Sequence, residues 1–156
     1  TPLIAPLNPT FGAAVDNIDL SRPQSDHTMA VIREALVQHK LLVFRGQHMT
    51  SLQQRDLAAL FGPLYVHPLL NHDDTLPEIA VLHHDRNRPP EPDEWHADAS
   101  FIEAPPRCSI LYGAVVPETG GDILFADLAA AYAALSEPVQ ALLHAAQRRE
   151  RVTHLE

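Results

Sequence analysis

Fourteen prolines in 156 residues, spread from Pro2 to Pro138 and doubled at Pro89-Pro90 and Pro105-Pro106, constrain this chain more than any other feature. Each one fixes φ, removes a backbone donor and disfavours helix at the residue before it, so the elements between them must be short. Average usage is about 5%, and the excess here predicts a loop-rich fold with many enforced turns. The densest stretch, residues 85–94, carries Pro89, Pro90 and Pro92 among charged residues and cannot pack a core of its own.

Between the prolines the apolar pattern alternates helix and strand. Phe11–Val15 and Ile18–Leu20 look like two short strands around a turn, an edge or lid and not a helix. Met29, Ile32, Ala35, Leu36 and His39 recur at three- and four-residue spacing, which predicts a helix over 27–39. Leu41–Phe44 is too short for a helix and reads as a buried strand. Thr50 with Gln53 forms a capping box, Leu52, Leu57 and Leu60 make a stripe, and Gly62-Pro63 ends it, predicting a helix over 51–61. Strands are expected at 64–66, 79–82, 95–101, 109–116 and 123–125, the last two joined as a hairpin through Gly120-Gly121. Asp127 should cap a short helix, Ser136-Glu137-Pro138 should open another, and Val152-Thr153-His154 starts a strand. The expected class is α+β, a single domain over 1–156 whose strands wrap a pocket. Closing a double-sheet jelly roll takes about eight paired strands, so the chain is expected to be the first part of a larger fold.

Composition narrows the function. Eleven Lys and Arg against twenty Asp and Glu give a net charge of −9, which leaves no basic field for a phosphate backbone or an anionic membrane. No apolar run approaches the ~20 residues of a bilayer span, and Thr1-Pro2-Leu3-Ile4 does not open like a secretion signal. A cytoplasmic protein is expected, without nucleic-acid or membrane partners and with homo-oligomerisation left open. The single Cys108 can form no internal disulfide and builds no zinc cage; on an apolar stretch it reads as a small inert core residue.

The chemistry concentrates in Trp95-His96-Ala97-Asp98. In a strand, residues i and i+2 share a face, so the His96 imidazole and the Asp98 carboxylate would project into one pocket. With one further His they would form the 2-His-1-carboxylate face that leaves positions open on Fe(II). The other histidines carry less. His83 and His84 are adjacent and would face opposite sides of a strand, His72-Asp73-Asp74 reads as a solvated turn, and His27, His39, His48 and His144 stand alone on or beside helices. His67, before Pro68, either packs under that proline or donates to an anionic head group.

Three segments together, Phe61-Gly62-Pro63-Leu64-Tyr65-Val66-His67, the run from Trp95 to Pro106, and Thr119-Gly120-Gly121-Asp122 through Leu135, resemble the Fe(II)- and 2-oxoglutarate-dependent dioxygenases of the taurine dioxygenase family. The resemblance runs from about Ile18 to Ser136. It implies a distorted double-stranded β-helix (jelly roll) with flanking helices, iron bound by His96 and Asp98, 2-oxoglutarate as cosubstrate, and O2 with a small organic acid as the other reactants. The third iron ligand and the Arg that pairs with 2-oxoglutarate have no match in these 156 residues, His154 included. Where the family places a Thr that holds 2-oxoglutarate stands Ile123, and Leu70 and Pro92 replace the Tyr and Asn of taurine-specific members. His67 is retained, so the resemblance implies an anionic substrate more apolar than taurine: a sulfonate, a sulfate ester or a carboxylate.

The expected function is therefore hydroxylation of such an acid with release of succinate and CO2. Two other classes are carried beside it: a truncated, non-catalytic relative that folds with a partner or as an oligomer, and a zinc hydrolase using His96, Asp98 and another His.

Overall fold

The computed structural model describes residues 1–85, 87 and 94–146, which divide into two compact units. The first comprises 1–18, 30–45 and the described part of 112–149; the second comprises 19–29 and the described part of 46–111. In chain order the elements are β1 (Leu3–Pro6), β2 (Ala13–Asp16), α1 (Asp26–His39), β3 (Leu42–Val43), α2 (Ser51–Ala59), α3 (Leu128–Ala133) and α4 (Glu137–Ala145).

In the first unit β1 and β2 pair antiparallel, with Ile4 opposite Val15, and β2 pairs parallel with β3, Ala13 opposite Leu42. A parallel pair needs a crossover, and α1 supplies it. Its Ile32 and Ala35 are buried, as are Ala13 and Val15 of β2. The end of α1 is set by Lys40, whose φ of 64° is the left-handed stop and whose amide reaches the Leu36 carbonyl at 2.7 Å. The Gly12 amide then bonds the His39 carbonyl at 2.7 Å, with Gly12 at φ 85°. Asp127 caps α3 by accepting from the Ala129 and Ala130 amides at 3.0 and 3.1 Å, and Lys40 Nζ lies 3.0 Å from its other oxygen.

The second unit is built on α2. The predicted capping box is present, and the Gln53 amide also donates to the Ser21 carbonyl at 2.9 Å. Gln54 reaches the Ile110 carbonyl at 3.0 Å, while the Leu20 amide bonds Gln47 Oε1 at 2.8 Å. Leu20, Met29, Leu57 and Ala99 are its buried apolar residues.

The helices fall where the pattern puts them, at 26–39, 51–59, 128–133 and 137–145. The strands do not. Residues 18–20 form no strand, because Asn17 turns the chain at φ 58° and the Asp19 carboxylate takes the Ser21 amide at 3.0 Å. At 79–82 there is one isolated bridge, His72 to Ala80, and 64–66, 95–101, 109–116 and 123–125 carry no ladder among the described residues. Gly120 and Gly121 turn the chain at φ 78° and 73°, but the arms do not pair as a hairpin. A strand exists only where a neighbour offers its N–H and C=O groups, and among the described residues none pairs with 64–66, 95–101, 109–116 or 123–125; Val115, Val116, Ile123 and Leu124 are exposed. The described residues thus form an α+β arrangement with a small three-stranded sheet, and a closed jelly roll is not assembled from them. The strand expected at 152–154 lies outside the described residues.

Candidate functional site

The chain from Glu94 to Phe101 is a turn and not a strand: Ala99 takes φ 50° and is buried, Ser100 Oγ donates to the Ala97 carbonyl at 3.0 Å, and the Ile102 amide reaches the Ala99 carbonyl at 3.3 Å. His96 and Asp98 nevertheless meet. The turn brings His96 Nε2 to 3.3 Å from Asp98 Oδ1, with 56% and 60% of the two side chains exposed. The remaining polar atoms of the pair are engaged. His96 Nδ1 is 2.8 Å from the Glu94 carbonyl, which can only accept, so Nδ1 carries the proton, and Asp98 Oδ2 accepts from Ser109 Oγ at 2.5 Å.

With the neutral ring's proton on Nδ1, Nε2 offers a lone pair, and it faces a carboxylate oxygen that also only accepts. One cation or one proton between these two atoms, 3.3 Å apart, satisfies both. Two ligands of one ion, each about 2.1 Å from it at a right angle, lie about 3 Å apart, so the pair fits two adjacent positions on a divalent metal. Among the described residues no third His, Cys, Asp or Glu joins them.

His67 lies on the same unit, half-buried between two rings: Tyr65 at 6.0 Å and 83°, and Phe101 at 5.8 Å and 90°, both edge-on. Its Nδ1 accepts from the Leu69 amide at 3.3 Å, leaving the proton of the neutral ring on Nε2, a donor. The His67 carbonyl in turn takes His72 Nε2 at 2.7 Å. Leu70 lines a cavity of about 620 Å³ with Leu69, Val81, Leu82, His83 and His84 among its walls. His83 and His84 therefore border one space, against the expectation of opposite faces, because this stretch is irregular and lacks a strand's alternation. His72 is half-buried and bonded, not a solvated turn residue, while Asp73 does close a turn by accepting from the Thr75 amide at 2.9 Å.

Of the remaining expected site residues, Ile123 is exposed in the first unit, and Pro92 lies outside the described residues. Burial pushes the Cys108 thiol above its ordinary pKa, which keeps it protonated at neutral pH and agrees with an inert role. Sequence reasoning passed over two neighbours of the site, Phe101 and Ser109. Phe101 stands three residues beyond Asp98 and had that proximity as a signal. Ser109, eleven residues on, had none.

Residues 3–155 match the family described as taurine catabolism dioxygenase TauD, TfdA. The chain is 38% identical over 128 residues to the alkylsulfatase of Acinetobacter baylyi, an alignment covering 81% of this chain and 40% of that protein. It is 36% identical over 140 residues to the alpha-ketoglutarate-dependent sulfate ester dioxygenase of Pseudomonas putida, covering 89% and 46%. Its fold superimposes on the crystal structure of a taurine dioxygenase from Burkholderia xenovorans with a TM-score of 0.78 at 33% identity, over 92% of this chain and 51% of that one. The chain thus spans about half the length of the relatives it matches.

Proposed function

The chain belongs to the taurine catabolism dioxygenase TauD, TfdA family, and on that premise we propose that it is part of an Fe(II)- and 2-oxoglutarate-dependent dioxygenase acting on a small, largely apolar organic acid. The observation that carries this reading is the convergence of His96 Nε2 and Asp98 Oδ1 at 3.3 Å with their outer atoms already engaged. In it, His96 and Asp98 are two of the three protein ligands of the iron, the third comes from outside these 156 residues, and the strands complete a jelly roll there as well.

Iron with bound 2-oxoglutarate and O2 would supply the oxidising chemistry: one oxygen atom enters the substrate as a hydroxyl, and the other leaves in succinate as CO2 is lost. The chain's own residues bind and orient. His67 donates through Nε2 to the anionic head group, held in place by the Leu69 amide and by the flanking rings of Tyr65 and Phe101. Leu70 supplies apolar surface where a taurine amine would need a partner, and Pro92, by its residue type, has no side-chain donor or acceptor to offer one. Ile123, standing where the family has a Thr, lacks the hydroxyl and so offers 2-oxoglutarate no side-chain hydrogen bond.

Leaving a buried amine or sulfonate oxygen unpaired costs on the order of 1–3 kcal/mol for each lost hydrogen bond, and a pocket without donors cannot strongly favour a polar ligand. The likeness to an alkylsulfatase and to a sulfate ester dioxygenase supports the same choice. Succinate formation by the full-length protein should be faster with medium-chain alkyl sulfates or alkylsulfonates than with taurine. A preference for taurine over every longer alkyl acid would overturn the substrate assignment.

A further inference from the structure

We propose that Ser109 is a positioning residue for the metal site: its hydroxyl fixes the rotation of the Asp98 carboxylate so that a single oxygen, Oδ1, is presented beside His96. The inference rests on the metal reading above and adds to it a residue with no part in ligation.

Rotation about the bond to a carboxylate group is broad and nearly two-fold, and the Asp98 side chain is 60% exposed, so packing does not hold it. Without a partner, its two oxygens would exchange freely in front of the imidazole. Ser109 Oγ breaks that equivalence by donating to Oδ2 at 2.5 Å, the short distance of a charge-assisted O–H bond. Oδ1 is then left 3.3 Å from His96 Nε2. The ring is fixed in the same manner by the Glu94 carbonyl at 2.8 Å. Each candidate ligand therefore has one atom tied to the protein, with Asp98 Oδ1 beside the His96 ring.

The hydroxyl is itself anchored. The carbonyl of the next residue, Ile110, accepts from the Gln54 side-chain amide at 3.0 Å in a half-buried contact, and Gln54 sits in α2, directly after the Gln53 of its capping box. A link of backbone and two hydrogen bonds thus runs from a well-formed helix to the Asp98 carboxylate. Outer partners of this kind are commonly worth 10- to 100-fold in metal affinity. Because this contact is exposed, the lower end applies.

Calorimetric titration of the metal-free, full-length protein with Mn(II) reads the effect without turnover. Ser109→Ala should weaken Mn(II) binding about tenfold while the melting temperature of the metal-free protein stays at the wild-type value. Ser109→Thr, which keeps a hydroxyl, should restore most of the affinity. Should Ser109→Ala fail to fold, Ser109→Cys, of similar size and only a weak donor, carries the same comparison against Ser109→Thr. Wild-type affinity in the variant lacking the hydroxyl, or a Ser109→Thr protein as weak as Ser109→Ala, overturns the positioning role and leaves the ligand assignment standing. A wild-type protein that takes up no Mn(II) overturns both.

Discussion

Asp127 serves three partners at once: the Ala129 and Ala130 amides at the start of α3 and the Lys40 ammonium at the end of α1. The Ala130 hydrogen bond first, and then Lys40, hold its carboxyl below the ordinary aspartate pKa. In the unfolded chain the group titrates near about 3.9, so in acid the unfolded state takes up the proton first. The stabilisation is therefore complete above that value and is lost as the pH falls through it toward the lower folded-state pKa. Asp127→Asn should lower the melting temperature at pH 7, and the gap to wild type should close below about pH 4; a gap independent of pH would show that the charge plays no part. At His67 the assigned role is equally testable. His67→Ala should raise KM for the organic acid severalfold with unchanged Mn(II) affinity, since the ring packs on Phe101 and, among the described residues, does not join His96 and Asp98 in a three-ligand group. Loss of metal affinity in that variant would assign the ring to the metal instead.

Local signals decide the elements, and partner choice escapes them. The capping box at Thr50 and Gln53 is a four-residue pattern that satisfies two end donors by itself, and the structure contains it as read. Thr50→Ala should cost about 1 kcal/mol in a urea titration, and a cost near zero would mean that water replaces the cap. The strands show the opposite case. The 11–15 stretch reads as a strand and is one, but its partner is β1 and not 18–20. Asn8 Oδ1 accepts from the Thr10 amide and hydroxyl and from the Phe11 amide, all at 2.9 Å, and so folds β2 back onto β1. At 109–116 and 123–125 the apolar pattern marks chain able to pair, yet no ladder forms among the described residues. The proximity of His96 and Asp98 is legible for a related reason: this turn brings the side chains of residues two apart to 3.3 Å, as a strand would set them on one face. Ser109 reaches Asp98 through tertiary folding alone, and nothing in local sequence encodes that.

For the molecule as a whole, family membership is carried by nearly the entire chain, while the relatives are about twice as long. Among the described residues no helix is long and apolar enough to cross a membrane. The proposed centre has two donor atoms in His96 Nε2 and Asp98 Oδ1 and requires a third, so metal binding decides the reading. The most direct test is anaerobic addition of Fe(II) and then 2-oxoglutarate to the full-length protein, followed by visible absorption. A charge-transfer band should appear only when both are present and should be abolished in His96→Ala and in Asp98→Ala. No band in the wild-type protein, or an undiminished band in the His96→Ala variant, would contradict that reading.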